Sequence, residues 1–520
     1  MRGGGVLPAL RALACAAAAV VEAVVAMLMR GRRSRVLLLA PGGEALRWRL
    51  GKLRAVGTAE RARRQVPAYA AHLSTHGVPA GRTPALAELP ETDKAGYVAG
   101  NGLEALCRHG RLPRRGVVLD ESSGSSGTPT SWVRGPAERR ATARLLRTTF
   151  ARGLDDGPVV VINAFSMGAW ATGLNVTMAL ASSSRIKSTG PDRTKVIGTL
   201  VELGPDHRYV VLGYPPFLKD LADDPRIDLR AYDVTAGFGG EGLSENMRDY
   251  LLRSYRRVMG SYGASDLEIN MAAESDGTIA LRRELASNAG LRTALLAHPD
   301  RPLPMIFQYN PLDYVIETNG AGELVVTICR AANLSPRIRY NIHDVGHVVR
   351  APVLRRLLRR HDAAHVADAL TLDLPVLFHY GRSDASVDFY GAALTPDELR
   401  DALYAETDVA ERMREFRLIS WEDDRAATHL LFAVELQPGH TAGELDTDHL
   451  AARLLQRLAD RNGDFANACR VAPDASRPRL RIFPVDSGPF AETGGLKYRY
   501  VSRIDAATAH AAGLTAEVAS

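Results

Sequence analysis

The chain has 520 residues, ordinary apolar (46%) and charged (24%) content, and a formal net charge of +6. That length is enough for roughly two to four domains around a large core. The positive balance comes from scattered arginines with no interleaved aromatics, which argues against a nucleic-acid partner. The four cysteines, Cys15, Cys107, Cys329 and Cys469, stand far apart and signal neither a zinc site nor a disulfide framework. A cytoplasmic location is the expectation.

Residues 12–29 are apolar apart from Glu22 and are followed by Arg30, Arg32, Arg33 and Arg35. A central glutamate and an alanine-rich composition favour a packed helix or an extension over a membrane anchor. A membrane partner is therefore not expected. Residues 54–73 read as helix interrupted at Val66-Pro-Ala-Tyr69, and Leu89-Pro-Glu-Thr-Asp-Lys94 as a turn into a helix. Gly116–Asp120 has the β-branched texture of a strand. Then comes Ser122-Ser-Gly-Ser-Ser-Gly-Thr-Pro-Thr130. Such a loop can cradle an oxyanion with amides and hydroxyls, or simply be a linker; both readings stay open on composition. It lacks the Gly-Lys-Ser/Thr ending of a Walker loop.

A helix with a basic face is expected from Pro136, a buried strand over Val159–Ile162, and a strand-to-helix transition over Asn163–Trp170. Residues 195–203 are amphipathic, and Tyr209–Leu212 is strand-like. Gly213-Tyr-Pro-Pro-Phe217 is expected as a loop because of its tandem prolines. Ala231–Thr235 reads as a strand closed by Gly237-Phe-Gly-Gly-Glu241, residues 244–259 as a helix, and Ser261–Asp266 as the next strand end. Residues 322–330 and 338–349 read as strands. The pairs Arg355-Arg356 and Arg359-Arg360 are expected on a solvated helix face. Val376–Tyr380 is a strand running into Gly381-Arg-Ser-Asp384, Thr395 and Glu398 form a capping box, and residues 450–462 are helical. Alternating strands and helices predict an α/β architecture. The expected division is an extension with an apolar helix (1–50), a large domain (51–380) and a small carboxy-terminal lid (381–520), without internal repeats.

Taken in order, these motifs resemble the adenylate-forming superfamily, and most closely its phenylacetate–coenzyme A ligase branch, over residues 54–504. The resemblance rests on Val66-Pro-Ala-Tyr69 with Leu89–Lys94, Ser122–Thr130, Gly239-Gly-Glu241, Tyr262-Gly-Ala-Ser-Asp266, Arg339-Tyr-Asn-Ile-His-Asp344, Gly381-Arg-Ser-Asp384 and Gly494-Gly-Leu-Lys497. It implies a large multi-layer α/β domain followed by a small mobile α+β domain. It also implies that ATP and Mg²⁺ activate a carboxylic acid as an acyl-adenylate, which a thiol, coenzyme A by default, then takes up.

By resemblance, Ser122, Ser123, Gly124, Ser125, Ser126, Gly127 and Thr128 hold the β- and γ-phosphates. Asp266 carries Mg²⁺, and Ser265 donates to the α-phosphate. Tyr262 packs on the adenine, with Gly239, Gly240 and Glu241 lining its other side. Asp344 accepts from both ribose hydroxyls, and Arg382 reaches ribose or phosphate. Lys497 bridges the carboxylate and the α-phosphate, and Asp384 marks the hinge. Phe165, Trp170 and Phe238 would form an aromatic slot for an aryl or arylacetic acid, or are ordinary core aromatics.

The chain departs from the family pattern at Thr128, where a lysine is usual, at Asp266, usually glutamate, and at His343, usually glycine. His343 and His347 have helical metal-ligand spacing but fall in a strand-turn segment, so no metal is expected there. Alternative readings are a ligase that loads a carrier protein or makes an amide, and a non-catalytic nucleotide- or acid-binding homologue. A homodimer is left open.

Overall fold

The structure is a computed structural model. It describes residues 42–79, 84–121, 130–153, 159–168, 171–240, 242–299, 303–382, 387–389, 392–422, 428–462, 465–466, 468–469, 477–491, 500–504 and 506–514, with a few positions before residue 42. The Ser122–Pro129 stretch, Trp170, Glu241, Asp384, Gly494-Gly495, Lys497 and most of the 12–29 run lie outside the described residues. Among the described residues, no helix is long and apolar enough to cross a membrane.

The strands in chain order are β1 (Val118–Glu121), β2 (Ser131–Arg134), β3 (Val159–Asn163), β4 (Arg185–Ser188), β5 (Arg208–Gly213), β6 (Asp233–Gly239) and β7 (Arg257–Tyr262). They continue with β8 (Ala272–Ala273), β9 (Met305–Tyr309), β10 (Tyr314–Thr318), β11 (Glu323–Ile328), β12 (Tyr340–Val349) and β13 (Val376–Arg382). The last are β14 (Val387–Phe389), β15 (Ala392–Leu394), β16 (Met413–Glu422), β17 (Thr428–Leu436), β18 (Arg479–Phe483) and β19 (Val501–Arg503). The chain is mixed α/β and divides into two compact units. One takes in the described residues up to Gly190, Met259–Ala297 and Leu303–Gly381; the other takes in Pro191–Val258, a short piece starting at His298, and the described residues from Arg382 onward.

In the first unit, neighbouring strands run in the order β10-β11-β12-β13-β9-β8-β7. β3 and β4 pair in parallel, with the helix Ala171–Leu180 between them in sequence. Val160, Val161 and Ile162 are almost fully buried, as a continuous apolar strand requires. The helices Asp276–Ser287, Ala289–Leu295, Ala351–Arg360 and Ala364–Ala369 bring Leu281, Leu285, Leu291, Leu354 and Leu358 into one core with Ile306, Val376 and Phe378. Their leucines recur at helical spacing, which puts the apolar stripe on the sheet. Arg356, Arg359 and Arg360 are exposed as expected. Arg355 is not: it turns back to Asp373 at 2.7 Å and to the carbonyls of Leu370 and Leu372.

In the second unit, β5 and β6 pair in parallel, β14 and β15 form a small antiparallel hairpin, and a four-stranded sheet runs β18-β17-β16-β19. The helix Pro396–Tyr404 opens as expected: Thr395 N donates to Glu398 Oε2 at 2.7 Å, and Glu398 N donates to Thr395 Oγ1 at 3.3 Å. Two expectations fail here. The tandem prolines start a helix, Pro215–Ala222, rather than a loop. They occupy its first turn, where a missing N–H leaves no bond unmade. The helix after Ser244 ends at Leu251, and Arg257–Tyr262 is a strand. Its alternating burial fits β spacing, which the basic residues around it obscured in the sequence.

Candidate active site

The β1–β2 hairpin pairs Glu121 with Ser131 and Asp120 with Trp132, so the Ser/Gly loop leaves and returns at matched positions. Behind that stem Asp120 is buried. Both its oxygens accept from Asn175 Nδ2 at 3.0 Å, and Oδ2 also accepts from Arg134 Nε at 3.0 Å. The two terminal nitrogens of Arg134 donate to the carbonyls of Ser265 and Leu267, the residues on either side of Asp266.

Those residues belong to the turn that follows β7. Gly263 is required there: a Cβ would stand 2.4 Å from the Glu268 carbonyl oxygen. Asp266 Oδ2 accepts from the Tyr340 hydroxyl at 2.8 Å, and its carbonyl accepts from Arg337 Nε at 2.7 Å. Arg337 is packed over the Trp132 ring at 4.9 Å, and burial lowers its guanidinium from the ordinary value. The turn is thus held from β2 and from the segment entering β12, with the Asp266 side chain only partly covered.

Tyr262, at the end of β7, donates to Asp344 Oδ2 at 2.7 Å. Its ring stacks on Phe307 (centroids 5.8 Å apart) and tilts against His379 (4.8 Å). His379 Nε2 lies 3.1 Å from the same carboxylate oxygen, off the axis that a hydrogen bond needs. Asp344 is 6% exposed. Both contacts fall on Oδ2.

His343 has φ +63°, the left-handed region in which glycine is at home. Its amide donates to Asn341 Oδ1 at 2.8 Å, and its half-exposed ring faces Glu323 (3.1 Å) and Asp93 (3.7 Å), with no contact to the Asp344 carboxylate. Arg339 opens the ribose motif but points elsewhere, donating to the Leu89 carbonyl at 2.6 Å. Thr92 joins β12 by accepting from Asn341 N at 2.8 Å. The Leu89–Lys94 marker is thereby tied to the ribose motif.

Phe165 is 5% exposed, just past β3, and its amide donates to Asn163 Oδ1 at 3.3 Å. In the second unit β6 ends at Gly239, and Gly240 has φ +83°, with the Tyr214 ring only 2.8 Å from where a Cβ would sit. Phe238 is 2% exposed beneath the Arg248 guanidinium, 5.8 Å from its ring centroid. Arg382 ends β13, and its side chain lies outside the described residues.

Among the described residues no group of three His, Cys, Asp or Glu side chains is placed to hold a metal. Asp266 offers one partly exposed carboxylate, which fits a hard cation taking its other oxygens from phosphate and water. Burial pushes the thiol of Cys107 up to about 11 and that of Cys329 up to about 12, so neither supplies a thiolate nucleophile. The arrangement can bind and orient; it holds no covalent catalyst among these groups. Sequence reasoning missed Arg134, Asp120 and His379. The available signal was a charge inside each of two short apolar strands, Val118–Glu121 and Ser131–Arg134.

No family model matches the chain, and no curated protein matches it. Solved structures do. A 2-hydroxyisobutyryl-CoA ligase in the postadenylation state with R3-HIB-AMP matches with TM-score 0.64 at 16% identity, over 91% of this chain and 93% of that one. The same ligase with 2-HIB-AMP matches with TM-score 0.64 at 16% identity, over 92% and 93%. With 2-HIB-AMP and CoA in its thioesterification state, the TM-score is 0.50 at 16% identity, over 91% and 93%. The chain shares its fold with this CoA ligase.

Proposed function

We propose that this protein uses ATP to convert an aromatic carboxylic acid into an acyl-adenylate, and then passes the acyl group to a thiol, coenzyme A by default. The observation that carries this reading is the joining of three motifs in one unit. The stem of the Ser/Gly loop is clamped by Arg134 to the Ser265–Leu267 turn, and that turn continues β7, whose Tyr262 is bonded to Asp344. The solved complexes of the ligase with this fold hold an acyl-AMP and CoA.

The donors of Ser122–Thr128 would hold the β- and γ-phosphates, and the Ser265 hydroxyl would donate to the α-phosphate. Asp344 Oδ1 would accept from a ribose hydroxyl, with the Tyr262 hydroxyl holding the carboxylate through Oδ2. Asp266 would hold Mg²⁺, which when bound neutralises charge on the phosphate oxygens. Lys497 would lie between the acid and the α-phosphate. An oxygen of the acid attacks the α-phosphorus, and the bond to pyrophosphate breaks. The thiolate then attacks the acyl carbon, and AMP leaves with the acid's oxygen. Catalysis of this kind is positioning plus electrostatics, consistent with a site rich in hydrogen bonds and poor in nucleophiles. The resemblance to the phenylacetate–coenzyme A ligase branch favours an aryl or arylacetic acid, which Phe165 and Trp170 would adjoin.

ATP–pyrophosphate exchange across aryl, arylacetic and aliphatic acids tests the reading. Acid-dependent exchange that falls about a hundredfold or more in Lys497→Ala supports it. ATP binding without exchange for any acid would instead make the protein a non-catalytic nucleotide binder.

A further inference from the structure

We infer that Arg134 is the positioning residue that couples the β1–β2 hairpin to the turn bearing Asp266, the carboxylate that would carry the metal; this rests on the adenylation reading above. Arg134 is buried and uses its guanidinium in three directions: Nε to Asp120 at 3.0 Å, Nη1 to the Leu267 carbonyl and Nη2 to the Ser265 carbonyl. Asp120 immediately precedes Glu121, the last described residue before the Ser/Gly loop, and Arg134 lies on the strand by which the loop returns. The two carbonyls bracket Asp266. A charge present only to stabilise the hairpin would be satisfied by Asp120, itself held by Asn175. The two further bonds fix the orientation of the peptide units on both sides of Asp266, and hence where the Asp266 carboxylate and the Ser265 hydroxyl point. Arginine is the side chain that can do this. Its planar fork donates in several fixed directions at once, whereas a lysine ammonium keeps the charge beside Asp120 but cannot span both carbonyls.

The coupling has a consequence that mere folding lacks. Arg134 ties the β1–β2 stem and the Asp266 turn together. Nucleotide bound beside the hairpin should therefore protect residues 263–268 from hydrogen exchange, and the magnesium requirement should depend on Arg134.

The test uses the full chain with Arg134→Lys, and Asp120→Asn as a second variant, each checked for folding by thermal melting. Mg²⁺ dependence of ATP binding is read by calorimetry, and backbone hydrogen exchange is read for segments 122–130 and 263–268. In the wild type, MgATP should protect both segments. In Arg134→Lys the half-saturating Mg²⁺ should rise about tenfold, the loss of charge-assisted hydrogen bonds, and protection of 263–268 should disappear while that of 122–130 remains. Asp120→Asn should shift the Mg²⁺ requirement in the same direction, less far, and decides the matter if Arg134→Lys does not fold. Wild-type Mg²⁺ dependence in a folded variant, or joint protection of both segments in it, overturns the inference while leaving the adenylation reading intact. ATP binding by the wild type that ignores Mg²⁺ overturns the inference; the adenylation reading falls separately, if no acid supports ATP–pyrophosphate exchange.

Discussion

Tyr262 and Asp344 are 82 positions apart in sequence, yet one 2.7 Å hydrogen bond joins them, and His379 closes on the same oxygen. A buried carboxylate deprived of a donor is destabilised and free to turn. Tyr262→Phe should therefore raise the KM for ATP about tenfold, with the KM for the acid unchanged. A change in the acid KM alone would put the pair outside the nucleotide site. His343 gives the opposite expectation. Its left-handed backbone is set by position, and its ring faces Glu323 and Asp93 rather than the ligand side of Asp344. In His343→Gly, relief of left-handed strain opposes the larger unfolded-state entropy of glycine and the loss of the ring's contact with Glu323. Stability should stay within about 1 kcal/mol and ATP affinity should hold. A loss of ATP affinity beyond tenfold would show that the imidazole takes part in binding.

Turns between elements carry the site, and some were readable while others were not. The glycine after Tyr262 was recognised as part of a motif; its cause is the Glu268 carbonyl that any Cβ would strike. Gly263→Ala should force the turn open, destabilising the protein by about 2 kcal/mol or more and abolishing exchange. A stable, active alanine variant, seen by denaturant titration and exchange, would contradict the tightness of this turn. Capping at Thr395 and Glu398 was legible because the box is a local pattern. The helix at Pro215 was not, because tandem prolines signal either a break or a first turn, and only the following Phe217–Ala222 decides between them. Arg355 defeats a reading by helical face for a related reason: its partner, Asp373, sits in a loop beyond the next helix.

At the scale of the molecule, the described residues group Pro191–Val258 with those from Arg382 onward, a partition that no shift in composition marks. Within that unit, buried Lys219 donates to the Met413 carbonyl at 3.1 Å, and Arg400 donates to the Gly242 carbonyl at 3.1 Å, contacts between segments too distant for any periodicity to reveal. The same unit buries carboxyls at a disadvantage. Burial pushes Asp220 up to about 6, with Oδ1 unpaired, and Glu415 up to about 7. Both folded values lie above the unfolded ones, 3.8 and 4.5, so the folded form binds the proton more tightly. Their contribution is fully present below about pH 4 and is lost as pH rises through about 7. Asp220→Asn should flatten that part of the pH profile and add roughly 1–3 kcal/mol at pH 8. An unchanged slope in denaturant titrations across the range would contradict the burial of this carboxyl.

At this scale the ordered motifs made the fold legible, because several sit at strand ends: Gly239 closes β6, Tyr262 closes β7 and Tyr340 opens β12. The acid and its acceptor were not legible, since pocket walls are set by packing rather than by short patterns. The central claim is that the acid's own oxygen becomes bonded to the α-phosphorus. The most direct measurement follows ¹⁸O from a labelled acid, one that supports exchange, through a complete turnover with ATP and coenzyme A. Recovery of one ¹⁸O in AMP is the predicted result. Label in inorganic phosphate, or AMP free of label, would contradict an acyl-adenylate and with it the assignment of the Arg134–Asp266–Asp344 assembly as its site.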